Sequence, residues 1–281
     1  MNEHASQALT NLSSLTFNGH SKVGDEIPKA IAKSSFKQLK SLILNNNRGI
    51  TSEEISLLVS SEVVTNLTRL HLSGCEISGE GVKAIANSTK LTQLTSLNLN
   101  GTRINEHYCK VLSNSSVISK MKYFSVSRNH LGPVGAKHLF DSQYLSNVTT
   151  LDISENDGGG EMIQSFSSCS NLPNLMNLDA HENNVRALGV EYLCKSSHRF
   201  PKLKKLIIGL NKFVKQGALE LIRSFPHLTI LNVYLHPGYC TCTHSDITEL
   251  KKIAETSIIK QVYLDVLNGG EEEFSVFFTG L

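Results

Sequence analysis

Apolar residues in this chain fall into a short, recurring pattern of Leu-x-x-Leu-x-Leu, usually followed by an Asn and a further apolar residue. It opens at Leu12, Leu39, Leu67, Leu94, Met121, Val148, Leu175, Leu203, Leu228 and Ile259. Successive spacings are 27, 28, 27, 27, 27, 27, 28, 25 and 31 residues. Near-constant spacing over this many windows marks a repeat architecture, because each copy is one supersecondary unit stacked on the next.

The second window shows how one copy folds. Leu42 and Leu44 alternate with Ser41, Ile43 and Asn45, which puts the leucines on one face of a short strand and the other three on the opposite face. Asn47 follows, with an amide able to satisfy backbone groups where the chain leaves the strand. Thr51-Ser52-Glu53-Glu54 then reads as a capping box, Thr51 being the N-cap and Glu54 its partner. Ile55, Leu58 and Val59 continue at helical spacing. One strand and one helix cannot bury that apolar face alone, so neighbours must stack. Strands reached through helical crossovers run parallel. The expected fold is an α/β solenoid of about ten repeats in a single domain over residues 1–281. Residues 1–11 are expected to cap its start, 12–267 to carry the repeats and 268–281 to fold over its end.

Beyond the strand the copies share Asn, an apolar residue and Gly-x-x-x-Leu/Ile, as in Cys75 to Ile85 and Asn129 to Leu139; Asn183 to Leu193 and Asn211 to Leu221 repeat it, with Gly189 and Gly217. This resembles the ribonuclease-inhibitor-like class of leucine-rich repeats over residues 12–267. The resemblance implies a right-handed horseshoe, with a parallel sheet on its concave side, helices on its convex side and a role in protein binding. It lies in framework positions and names no partner. The name-giving members are strongly acidic and rich in cysteine, unlike this chain. GTPase-activating members share the framework, but the acidic C-terminal tail associated with them has no counterpart here.

Charge narrows the function classes. Lys+Arg is 27 and Asp+Glu is 25, a net charge of +2, which gives no general attraction to nucleic acid or anionic membrane. No apolar run is long enough for a membrane span, and residues 1–10 lack the pattern of a secretory signal. Six cysteines are too few for a disulfide scaffold and read as reduced thiols of a cytoplasmic protein. Several Asn-x-Ser/Thr triplets, among them those at Asn66, Asn87, Asn114 and Asn147, are expected to be chance. No phosphate loop, dinucleotide fingerprint or metalloprotease helix appears, so neither cofactor nor catalytic residue is expected. The chain is expected to be monomeric on its own.

Two irregularities stand out. Gly158 occupies an apolar position inside Asn156-Asp157-Gly158-Gly159-Gly160, which predicts a loosened connection. His236, Cys240, Cys242 and His244 lie in an insert of the ninth repeat, where four side chains of ligand type could hold zinc. Cys240 and Cys242 are closer than in ordinary zinc modules, so a surface loop before a helix near Ser245 is the expectation.

Specificity should reside in the strand positions that the core does not use. Asp152 and Asp179 hold equivalent positions in adjacent repeats, and Glu155 and Glu182 form a second such pair just beyond. Paired carboxylates can do acid–base chemistry, but an open sheet does not exclude water, so they are expected either to receive a Lys or Arg of a partner or to remain solvated surface charge. Tyr123, Tyr234 and Tyr263 are candidate interface anchors, because tyrosine buries area while keeping a polar tip. Arg69, His71, His181 and Lys205 complete the candidate partner-binding set. The expected function is therefore a non-catalytic interaction scaffold that binds another protein. The alternatives are a GTPase-activating regulator, or a substrate receptor that works with a second chain of a ubiquitin ligase.

Overall fold

A computed structural model describes residues 11–19, 26–235, 248–249, 252, 261–268 and 272–277, with backbone alone for 234–235, 261–268 and 272–277. The insert from His236 to His244 and the first ten residues, expected to be a loop and a cap, lie outside the described residues.

The chain divides into two compact units, residues 1–130 with 142–148, and residues 131–141 with 149–281. In the first unit, strands β1 (Ser14–Thr16), β2 (Ser41–Ile43), β3 (Arg69–His71), β4 (Ser96–Asn98) and β5 (Tyr123–Ser125) pair in parallel. Helices α1 (Glu26–Ala32), α2 (Ser52–Ser60), α3 (Ser78–Ala86) and α4 (Glu106–Ser113) connect them. The second unit holds α5 (Gly132–Phe140), β6 (Thr150–Asp152), α6 (Gly159–Ser168), β7 (Asn177–Asp179), α7 (Arg186–Lys195), β8 (Lys205–Ile207) and α8 (Lys215–Ser224). Strands β9 (Ile230–Leu235) and β10 (Gln261–Asn268) extend its parallel sheet. Then β11 (Glu272–Phe277) returns antiparallel along β10.

Register follows the leucines. Leu42, Leu70, Leu97 and Phe124 lie opposite one another on neighbouring strands of the first unit, and all are fully buried. Leu151, Leu178, Leu206 and Leu231 do the same in the second. Phe140, Phe166 and Phe200 add an aromatic column: the first pair meets edge-on at 5.5 Å, and the second stacks at 4.3 Å. Among the described residues eight strands are followed by a described helix, fewer than the ten windows of the sequence pattern. The ninth and tenth windows keep their strands as β9 and β10, and the helix expected between them falls largely outside the described residues.

The Asn column links one repeat to the next. Asn129 is buried; its Nδ2 donates to the carbonyls of Val126, Ser127 and Leu99, and its Oδ1 accepts from the amides of Thr102 and Ile104. Asn183 does the same for Ala180, His181, Ile153, Asn156 and Gly158. Cys75 and Thr102 take the Asn position in their repeats, donating to the carbonyls of Leu44 and Leu99. A thiol or hydroxyl offers one donor where the amide offers two, so these repeats have fewer such links.

Helices start in two ways. Thr51 and Asn105 are extended N-caps whose side chains accept backbone N–H bonds, and Thr51 with Glu54 forms the expected capping box. Ser78, Gly132, Gly159 and Arg186 instead open their helices at positive φ. The backbone amides of Gly132, Gly159 and Arg186 then donate to the carbonyls of Asn156, Asn183 and Asn211, one repeat on. The loosened connection expected at Gly158 is not found. Gly158 is buried and leads directly into α6; a Cβ there would come within 2.4 Å of Met162 Sδ. Met162 fills from the helix the space that an apolar side chain fills in other repeats.

Candidate functional site

The side of each strand away from the leucines carries the polar residues. In the second unit, register places Asp152 of β6 opposite Asp179 of β7, and Asp179 opposite Ile207 of β8. Parallel strands lie about 4.8 Å apart, so the two carboxylates are neighbours, as expected. Asp152 Oδ1 accepts from the backbone N–H of Ser154 at 3.2 Å and from its hydroxyl at 2.7 Å. Asn177 donates to Thr150 Oγ1 at 3.0 Å on the adjacent row.

His181 is the hub of this cluster. Its Nδ1 lies 2.7 Å from Asp179 Oδ1 and its Nε2 lies 3.4 Å from Glu155 Oε1. With both ring nitrogens facing carboxylates, the protonated ring can donate on both sides. The hydrogen bond to Asp179 raises the imidazole pKa above its ordinary value; partial burial opposes the rise, and the charges of Asp179, Glu155 and Asp152 add to it. The cluster is therefore a half-buried imidazole whose protonated form is favoured by the carboxylates that hold it. It keeps a negative excess, because Asp152, Asp179 and Glu155 outnumber it.

Glu155 was legible in the sequence only as a partner of Glu182. Its tie to His181 depends on backbone shape. Glu155 and Glu182 both adopt positive φ, at 53° and 51°, as does Leu210 in the next repeat; Asn46, Gly74, Gly101 and Arg128 do so at the equivalent positions of the first unit. Glycine accepts this conformation freely, whereas an L side chain pays a steric penalty of about 1–2 kcal/mol. Carboxylates therefore stand at two positions where glycine would be the easier choice. Their amides donate to the carbonyls of His181 and Gly209, one repeat on.

The other candidate residues fall into separate places. Lys205 lies between Asn177 and Ile230 in the register. Tyr234 and Tyr263 are on β9 and β10, where Tyr263 pairs with Asn232 and Asp265 with Tyr234. Arg69, His71 and Tyr123 belong to the first unit. There His71 Nε2 is 2.9 Å from Ser96 Oγ, and the His71 and Tyr123 rings are 5.8 Å apart and tilted by 37°. Burial, with a smaller contribution from Arg69, lowers the His71 pKa, so the two candidate histidines are shifted in opposite directions.

Among the described residues, the buried thiols are held in their protonated form. Burial pushes Cys75 and Cys169 up to about 11 and Cys109 up to about 12, which keeps them protonated near neutrality. Among the described residues no group of three or more His, Cys, Asp or Glu side chains is arranged to hold a metal ion. No described helix is long and apolar enough to cross a membrane.

A family pattern described as Leucine Rich repeat matches residues 65–86, the stretch that carries β3 and α3. The fold is a leucine-rich-repeat solenoid. No curated protein matches the chain in sequence. Among solved structures, an internalin of Listeria monocytogenes strain 4b F2365 is similar at 18% identity, over 92% of this chain and 75% of that one, with a TM-score of 0.46. A yeast structure of the Rad7 and Elc1 complex is similar at 15% identity, over 94% of this chain and 81% of that one, also with a TM-score of 0.46. In a leucine-rich-repeat solenoid the leucines are spent on stacking, and the polar strand face is left available for recognition.

Proposed function

We propose that this protein is a non-catalytic recognition scaffold that binds a partner protein on the polar face of its strands, with the acidic cluster at Asp152, Asp179 and His181 taking a Lys or Arg of that partner. The observation that carries this reading is the pairing of Asp152 with Asp179 in register, with His181 bridging Asp179 and Glu155. Carboxylates held by neighbouring strands are preorganised, so little ordering cost falls on binding. Further candidate contacts are the strand positions Lys205, Tyr234 and Tyr263 of the second unit and, separately, Arg69, His71 and Tyr123 of the first. The cluster stands on an open sheet face rather than in a closed cavity, which suits docking and disfavours water-excluded chemistry. Within leucine-rich repeats we assign the ribonuclease-inhibitor-like kind, supported by strand–Asn–helix copies that recur mostly every 27 or 28 residues. Unpaired thiols at Cys75, Cys109, Cys169 and Cys194 support placement in the cytoplasm.

Charge reversal tests the proposal. Proteins captured from native cell extract by the wild-type chain would be identified by mass spectrometry. Capture would then be repeated with Asp152→Lys combined with Asp179→Lys. The expected result is loss of the captured partner with an unchanged circular dichroism spectrum. Retention of that partner by a folded double variant would remove the acidic cluster from the binding surface.

A further inference from the structure

The strand face of the first unit has a different chemistry from that of the second. Its outward positions, from Ser14 to Ser127, hold hydroxyls, amides, one isoleucine, one tyrosine and one histidine, with Arg69 as the sole formally charged residue and no carboxylate. Register sets Ser41, Arg69, Ser96 and Tyr123 in one row across four adjacent strands. Arg69 is exposed, and its guanidinium makes neither a hydrogen bond nor an ion pair with any described residue.

Two further features point to a ligand. Ser41 Oγ is shielded from water and has no hydrogen-bond partner. A buried hydroxyl in that state is destabilising unless something arrives to accept from it. On the other side of Arg69, Ser96 Oγ is fixed by His71 Nε2 at 2.9 Å, and His71 is backed by the Tyr123 ring. When His71 donates through Nε2, the Ser96 hydroxyl proton is free to donate outward. Register thus sets a guanidinium side chain between two serine hydroxyls that can each donate, on a strand face that carries no carboxylate.

We infer that the row Ser41, Arg69 and Ser96 is a subsite for a phosphorylated side chain of a partner peptide. A phosphate monoester offers three acceptor oxygens and close to two negative charges, and the guanidinium fork matches two of those oxygens. A carboxylate offers only two oxygens for donors spread over three strands. An anionic membrane needs several basic residues together, and this face supplies one. The inference rests on the reading of the strand face as a protein-binding surface, but it uses none of the residues of the acidic cluster.

The test uses the full chain and an array of random heptapeptides with a central phosphoserine, alongside matched serine and glutamate versions. The expected result is selective retention on a subset of phosphopeptides, at least tenfold weaker on their serine and glutamate counterparts. Arg69→Gln should lose that preference, Arg69→Lys should keep part of it, and Ser41→Ala should weaken it several-fold. The Asp152→Lys, Asp179→Lys double variant should keep it, so failure of the acidic-cluster reading and failure of this one give different patterns. Equal retention on all three peptide versions, or phosphopeptide binding by folded Arg69→Gln equal to wild type, would overturn the inference. Binding confined to vesicles containing phosphatidic acid, with no retention on peptides, would also overturn it.

Discussion

At the scale of single residues, His181 couples this fold to pH. Its folded-state pKa lies above the ordinary value near 6.5, with the hydrogen bond to Asp179 as the largest cause. A group whose pKa rises on folding stabilises the native state fully below its unfolded pKa, and that contribution is lost as pH rises through the folded value. Wild type should therefore exceed His181→Gln in urea-unfolding midpoint by more at about pH 5.5 than at about pH 8.5. Equal gaps at both pH values would mean that the ring's ion pairs contribute nothing to stability. The sequence made the neighbourhood legible, since alternation alone puts Asp179 and His181 on one face and a repeat length apart from Asp152. It could not show the ring turned so that Nδ1 meets Asp179 and Nε2 meets Glu155, because that choice of rotamer depends on the left-handed turn at Glu155. Nor could it show Ser41 Oγ without a partner, because an unmatched donor is visible only once neighbouring strands are in place.

At the scale of elements, the strands were readable and the helix starts only partly so. Leucine alternation leaves a single register in which the buried rows match, and the observed partners follow it within each unit, from Ser14↔Ser41 to Ser96↔Tyr123 and from Thr150↔Asn177 to Lys205↔Ile230. Thr51 and Glu54 announced their cap. The left-handed starts at Ser78 and Arg186 carry no such signal, because the residues present are not the ones that conformation prefers. The three glycines after Asp157 were misread as looseness because Met162, four residues on, supplies the missing apolar bulk from the helix side. Arg186 provides a test of the helix start. It is exposed at φ 58°, and its amide donates to Asn211 O at 2.8 Å. Glycine keeps that N–H bond and removes the steric penalty, as Gly132 and Gly159 do at the equivalent positions. Arg186→Gly should raise stability by about 1 kcal/mol in urea unfolding, after the lost backbone entropy is set against the relieved strain. A clear fall in stability would show that the left-handed start carries little strain at this site.

At the scale of the whole molecule, a solenoid's stability is close to a sum of repeat contributions and nearest-neighbour contacts, since each copy touches only the next. Asn183 sits on one of those contacts. Its Nδ2 reaches Ile153 O, Ala180 O and His181 O, while its Oδ1 receives the amides of Asn156 and Gly158, so a single side chain joins the exits of β6 and β7. Truncation leaves buried amides and carbonyls without partners, at about 1–3 kcal/mol each where water cannot replace the bond. Asn183→Ala should therefore destabilise by several kcal/mol. Hydrogen exchange should locate the damage, with amides of β6, β7 and the start of α6 losing protection while those of β2 and β3 keep theirs. Uniform loss across all strands would indicate one cooperative unit rather than a chain of neighbour contacts. The candidate acidic cluster lies in the affected segment, on the same strands that Asn183 holds together. The variant should consequently weaken partner capture without changing any charge, because carboxylates on strands that open locally are no longer preorganised. Restoring capture with a stabilising second substitution elsewhere in the second unit, such as Arg186→Gly, would attribute that loss to order rather than to a lost contact.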